Sequence, residues 1–271
     1  MGTLGRTWDL ARESFAVLLT DRDILVFPLI SALALIAVDG VLLIPLGRQL
    51  RGPLTRHDLD AVLSPQYLYP MLFLLYTASY SVIIFFNSAL MACANIRLSG
   101  GDPSLGDGLR VAWENIERIL AWALVAATVG VLLRMLEQSR LVRLVAGRAL
   151  ELAWSWATYF IIPVILFEDL DVVDSLKRSA GLFRSRWGEG VTGNFSFGLL
   201  AGLLAFPAVT LGYACAGQFG SCIGLAVAGL YLAILSIVSA ALQGIFVVAL
   251  YRFATGQHSG FDSDLMQSVF S

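Results

Sequence analysis

Charge is scarce in this 271-residue chain: Asp, Glu, Lys and Arg make up 14% of it, against about 25% in ordinary soluble domains. With 58% hydrophobic residues, the chain has too much apolar surface to stay disordered and too much for a lone water-soluble core. Histidine occurs twice and cysteine three times, which leaves little material for a metal centre. His57 stands beside Asp58 and His258 lies in the C-terminal tail, neither at zinc-ligand spacing. The metal helix HExxH, the nucleophile turn GxSxG and the phosphate-cradling GxxxxGK followed by Ser or Thr are missing. No enzyme class, cofactor or metal is therefore indicated. Net charge is −2 without a basic stripe, which argues against a nucleic-acid partner. The N-terminus, MGTLGRTWDLARES, mixes both charge signs and lacks the basic, apolar, small-residue order of a cleaved signal peptide, so the first apolar run is expected to stay as an anchor.

What the chain does have is apolar sequence in long blocks. Gly190 to Tyr251 are 62 consecutive residues without Asp, Glu, Lys or Arg; a helix crossing a bilayer needs about 20, so this tract holds two crossings. Other charge-free tracts are Ile24–Val38, Ala61–Ile96, Ile119–Leu133 and Leu152–Phe167. Because backbone polar groups in hydrocarbon must be satisfied internally, an all-α polytopic membrane bundle is expected. Its six spans are Ile24–Leu46, Tyr67–Asn95, Ile119–Leu136, Leu152–Phe167, Thr192–Tyr213 and Ile223–Phe253. A single transmembrane domain then covers residues 1–254, with 255–271 as a tail. The N-terminus, even-numbered loops and tail carry 11 Lys and Arg, the odd-numbered loops 7, which places both termini in the cytoplasm.

Each odd-numbered span is preceded by a short amphipathic segment: TLGRTWDLARESFAVLL from Thr3, SLGDGLRVAWENIERIL from Ser104 and DVVDSLKRSAGLFRSRW from Asp171. Apolar residues recur at helical spacing, as Leu4, Trp8, Ala11, Phe15 and Leu18; as Leu105, Leu109, Ala112, Ile116 and Ile119; and as Val172, Val173, Leu176, Ala180, Phe183 and Trp187. Ser104 with Asp107 resembles a capping box. The layout is threefold and repeat-like, with units of about 3–95, 104–167 and 171–254. In the third segment Glu168, Asp169, Asp171 and Asp174 come first, while Lys177, Arg178, Arg184 and Arg186 occupy the later turns, as the helix dipole favours. These four basic residues are candidates for anionic lipid headgroups; topological anchoring is the plainer role.

The stretch WATYFIIPVILFEDLDVVDSLKRSAGLFRSRWGEGVTGNFSFG, Trp156 to Gly198, resembles the signature of a family of uncharacterised bacterial six-span integral membrane proteins. That family is distantly similar to the membrane domain attached to some glycerophosphoryl diester phosphodiesterases. Pro163, Glu168, the LKRS of Leu176 to Ser179 and the RWGE of Arg186 to Glu189 carry the resemblance, and DRDILVFPLIS at Asp21 to Ser31 echoes the family's opening. It implies a six-helix protein of the bacterial inner membrane and supplies no activity; the soluble phosphodiesterase domain is absent from this sequence.

Within the spans, Asp39 is the clearest ionisable group. Followed by Gly40 and Pro45, it is expected near the outer interface, paired with an arginine such as Arg48, or else in a proton- or ion-coupling role. Asn87, Asn194 and Gln243 join helices or, with Asp39, line a polar pathway. Pro28, Pro163 and Pro207 each free a carbonyl within a span, framing kinks, a hinge or a pore. Gly198 with Gly202, and Ser236, Ala240 and Gly244, space small residues for close helix packing. Cys215 and Cys222 flank an external loop and are candidates for a disulfide; Cys93 reads as packing. The chain therefore reads as a non-enzymatic membrane protein that organises the membrane or binds lipids, a second copy or another membrane protein through its interfacial helices. The alternative is a transporter or channel with a path among the proline-bearing spans.

Overall fold

The computed structural model describes residues 12, 14–49, 65–138, 147–187, 205–208, 210, 212–215, 217 and 220–257. Among them 90% are helical and none is in a strand. A 3-10 turn at Arg22–Leu25 leads into α1, Val26–Gln49. The further helices are α2 (Pro65–Leu98), α3 (Leu105–Glu114), α4 (Ile116–Gln138), α5 (Gly147–Ala157), α6 (Ile161–Phe167), α7 (Val172–Trp187) and α8 (Ser221–Ala254). Among the described residues, five stretches are long and apolar enough to cross a membrane: Asp23–Ile44, Tyr69–Leu98, Ile116–Leu133, Ala149–Phe167 and Ser221–Ala254. They fall on five of the six spans expected from sequence. The remaining one, Thr192–Tyr213, fifth in order, lies mostly outside the described residues, as do Asn194, Gly198 and Gly202; its residues 205–208, 210, 212 and 213 are helical.

The fourth expected span is two helices rather than one. α5 ends at Ala157, and Thr158–Phe160 form a turn before α6 begins. Pro163 explains the restart: as third residue of α6 it occupies the first turn, where its missing N–H breaks no helical bond. Pro28 is likewise the third residue of α1. Both prolines therefore start helices, in place of the mid-span kinks expected for them; prolines inside long helices are Pro45 of α1 and Pro70 of α2.

The chain divides into two compact units that interleave along the sequence: Met1–Leu29 with Leu90–Asp107 and Arg184–Ser271, and Ile30–Ala89 with Gly108–Phe183. In the first unit the core gathers Ile24, Phe27, Leu90, Ile245, Phe246 and Leu250. α8 is lopsided: residues 244–252 are buried, while Ile223, Leu225, Leu230, Leu232 and Ile234 of its first half are exposed, as lipid-facing side chains are. Gly244 allows close approach to α2, since a Cβ there would run into Leu90 Cδ2. A second close approach joins Gly212 to α8, where a Cβ would stand 2.9 Å from that of Ala228. In the second unit Ala112, Ile119, Ala123, Ala127, Phe160, Val164 and Ile165 form the core, and Trp122 stacks on Trp154 at 5.8 Å.

The short helices bury partly different faces from those expected. In α3, Gly108 and Ala112 are buried, Leu105 and Leu109 half-buried, and Arg110, Trp113 and Glu114 exposed. Ser104 and Asp107 exchange hydrogen bonds, each side chain accepting from the other's backbone N–H, as a capping box requires. In α7 the buried positions are Ser175, Ser179 and Leu182, and Val173 is 61% exposed. The stripe is rotated because small serines, rather than the larger apolar residues, meet the neighbouring helices. Of the first segment, Leu18 is buried and Phe15 exposed; Leu4, Trp8 and Ala11 lie outside the described residues.

Candidate functional site

α7 and the turn before it hold the densest set of interacting charges. Asp171 caps α7, its Oδ1 accepting from the Asp174 N–H at 2.8 Å, in the manner of an N-cap aspartate. Asp169 adopts a left-handed conformation, φ 49°, one that aspartate tolerates better than most residues, and so turns the chain from α6 into α7. Arg118, near the start of α4, forms an ion pair with Asp169 and donates to Asn115 Oδ1 at 3.1 Å. This ties the α3–α4 junction to the turn.

The same geometry alters the basic patch. Lys177 Nζ lies 2.8 Å from Asp174 Oδ1, and that hydrogen-bonded carboxylate raises the lysine pKa above its ordinary value. Arg178 Nε lies 2.7 Å from Glu168 Oε2. Two of the four headgroup candidates are thus engaged by acidic neighbours. Arg184 is exposed and has no ion-pair partner among the described residues; the Arg186 side chain lies outside them. The acidic and basic halves of the segment, separable in sequence, largely neutralise each other in space.

Behind this charged surface α7 braces the break between α5 and α6. The Phe160 N–H donates to Ser179 Oγ at 3.0 Å, and both residues are 0% exposed. Ile161 N–H returns to the Thr158 carbonyl and Tyr159 N–H to that of Trp156. Phe183 of α7 stacks on Trp156 at 5.7 Å and meets the Tyr159 ring edge-on at 5.9 Å.

The first unit contains a polar cluster that sequence reasoning missed. Arg97 Nη2 reaches Asp21 Oδ2 at 3.2 Å and Asp102 Oδ1 at 2.8 Å, with the Asp21 side chain only 7% exposed. Arg252, near the end of α8 and buried, donates through Nη1 to Asn95 Oδ1 at 2.8 Å and to Ser99 Oγ at 2.6 Å. Both helices end in the same way. Gly100 (φ 85°) and Gly256 (φ 76°) close α2 and α8 with paired return bonds, Gly100 N–H to Arg97 O and Gly101 N–H to Ile96 O, then Gly256 N–H to Phe253 O and Gln257 N–H to Arg252 O. That is the Schellman pattern. A sequence signal existed: Arg97 and Arg252 are the first charges after the two longest charge-free tracts.

Of the candidate pathway residues, Asp39 and Asn87 belong to the second unit and Gln243 to the first. Asp39 Oδ1 accepts from Ser79 Oγ at 2.7 Å, while Asn87 and Gln243 have no hydrogen-bond partner among the described residues. The side chain of Arg48, the partner expected for Asp39, lies outside the described residues. Cys215 and Cys222 are free thiols, half-buried and exposed, and Cys93 is buried. Among the described residues no group of three or more His, Cys, Asp or Glu is placed to hold a metal ion.

A family model described as a family of unknown function (DUF6159) matches residues 67–261. Nothing in that match links the chain to glycerophosphoryl diester phosphodiesterases. No curated protein and no solved structure matches.

Proposed function

The chain belongs to this uncharacterised family, and from that premise we propose that it is a multipass bacterial inner-membrane protein, both termini cytoplasmic, that binds lipid or a membrane-protein partner without catalysis. The contact surface is the outer face of α3 and α7. The observation that carries this reading is the company kept by their exposed apolar side chains: Trp113 is 68% exposed between Arg110 and Glu114, and Val173 is exposed beside Asp174. An outward tryptophan amid charges suits the headgroup layer, where aromatic rings sit with one side apolar and the other wet. Ion pairing at Lys177 and Arg178 narrows the headgroup candidates to Arg184 and Arg186. The expected partner is thus a mixed interface with a small anionic component.

The test is lipid retention. Purified protein in nanodiscs of mixed zwitterionic and anionic lipid is transferred to native mass spectrometry. Arg184→Gln should release bound anionic lipid more than Lys177→Gln does. Unchanged retention in both variants, and in Arg186→Gln, contradicts the lipid arm.

The transporter reading rests on the break at Thr158–Phe160, since discontinuous helices build the substrate sites of many transporters. There, unwound backbone lines a cavity; here Phe160 N–H is occupied by Ser179, which favours a braced structural break. Solute flux in proteoliposomes abolished by Asp39→Asn would reverse the ranking.

A further inference from the structure

One face of α8 carries Ala226, Gly229, Ala233, Ser236, Ala240 and Gln243, spaced alternately by three and four residues. Ala240 is half-buried and the other five are exposed, and a Cβ built on Gly229 would meet nothing within 4 Å. Leu230 and Leu232, also exposed, stand on either side, so the stripe is the floor of a shallow groove. At 3.6 residues per turn the groove is centred about 130° round α8 from Gly224 and Ala228, the residues that a Cβ on Gly212 would meet. The segment at Gly212 therefore packs on a different face.

Small size alone suits lipid as well as protein; Gln243 decides between them. It lies nine residues, about 14 Å, inside Arg252 along the helix, at a depth where lipid tails offer an amide neither donor nor acceptor. Its exposed side chain holds both a carbonyl and an NH2 group, so two copies of it satisfy each other reciprocally. A second copy in the same membrane orientation extends this match to the whole stripe, because a two-fold interface uses the same patch on both subunits. The three-and-four alternation is the repeat that keeps such a seam in contact, and small residues let the two backbones approach. From Ala226 to Gln243 the seam runs about 26 Å, most of the hydrocarbon core of about 30 Å. It holds no charge to repel its copy.

We propose that two copies of the chain pair in parallel through this face of α8, with the Gln243 amides bonded to each other at the seam. The pairing rests on α8 crossing the bilayer and involves neither α3 nor α7. Fluorescently labelled wild-type protein, diluted in lipid vesicles, should bleach in two steps beyond chance co-occupancy. Gln243→Leu should weaken pairing about 3- to 30-fold, the worth of an interhelical hydrogen bond in a membrane, and Gly229→Leu should weaken it by filling the groove. In a background lacking the native cysteines, oxidation should join Ala233→Cys to its own copy, and Ile234→Cys, beside the seam, far less. One-step bleaching at every protein-to-lipid ratio overturns the proposal, as does equal cross-linking at the two positions, undiminished pairing of Gln243→Leu, or linkage of Ala233→Cys to a different membrane protein. Reaction of Ala233→Cys with a membrane-impermeant maleimide in intact vesicles would instead remove the span itself, which separates failure of the pairing from failure of its premise. Subunit counting needs no variant, so poor folding of a substituted protein would not shield the proposal from a negative result.

Discussion

Replacing Ser179 by alanine removes the oxygen that accepts the Phe160 N–H at 3.0 Å. Donor and acceptor residues are both 0% exposed, so water cannot take the place of the lost oxygen. Losing the partner of a buried donor costs about 1–3 kcal/mol, equivalent to about a 5- to 150-fold shift in the folding equilibrium. Ser175 supplies the control. It lies one turn away on the same helix, is equally buried, and places its Oγ 3.5 Å from the Leu170 carbonyl, at the limit of a hydrogen bond. Ser175→Ala should therefore cost less than about 0.5 kcal/mol. Reversible unfolding of both variants in mixed micelles, followed by steric trapping, gives the difference directly. Equal destabilisation by the two substitutions would refute the claim that α7 braces the break through Ser179.

The cluster around Arg97 should respond to charge removal. Arg97→Met leaves the Asp21 carboxylate buried without its partner and should cost about 3 kcal/mol, the low end for breaking a buried pair, because Arg97 is itself 23% exposed; adding Asp21→Asn should recover part of that loss in the same unfolding assay. Gly244→Ala drives a methyl group towards Leu90 Cδ2 and should cost about 1–3 kcal/mol by overpacking. Combined with Leu90→Ala the two effects should fall short of additive, and strict additivity would contradict the close approach. Cys215 and Cys222 are expected to alkylate fully without reductant, and recovery of a peptide pair linked by a disulfide would show otherwise.

Charge-free tracts made the long helices legible in the sequence because hydrocarbon admits little else, so α1, α2, α4 and α8 lie within a few residues of their expected bounds. Ser104 and Asp107 were equally readable, since a capping box is a local device with fixed spacing. Long-range geometry was not readable. Nothing local says that Ser179 caps the Phe160 N–H, or that Asp21, Arg97 and Asp102 converge from as far as 81 positions apart. The face of α7 was misplaced because hydropathy ranks valine above serine, whereas close packing selects for small volume. Charge counting likewise saw a basic patch at Lys177 and Arg178, when the acidic residues that neutralise them sit one helical turn or one tight turn away.

Depth in the bilayer is the quantity on which the account turns. Nitroxide labels at Trp113→Cys and Val173→Cys, in a background lacking the native cysteines and reconstituted in lipid nanodiscs, report it through their relative accessibility to oxygen and to a water-soluble nickel chelate. Comparable access to both reagents, placing each label at the headgroup level, is the predicted result. Labels as open to the chelate as a free solvent loop, or as closed to it as the middle of α8, would contradict an interfacial role for α3 and α7.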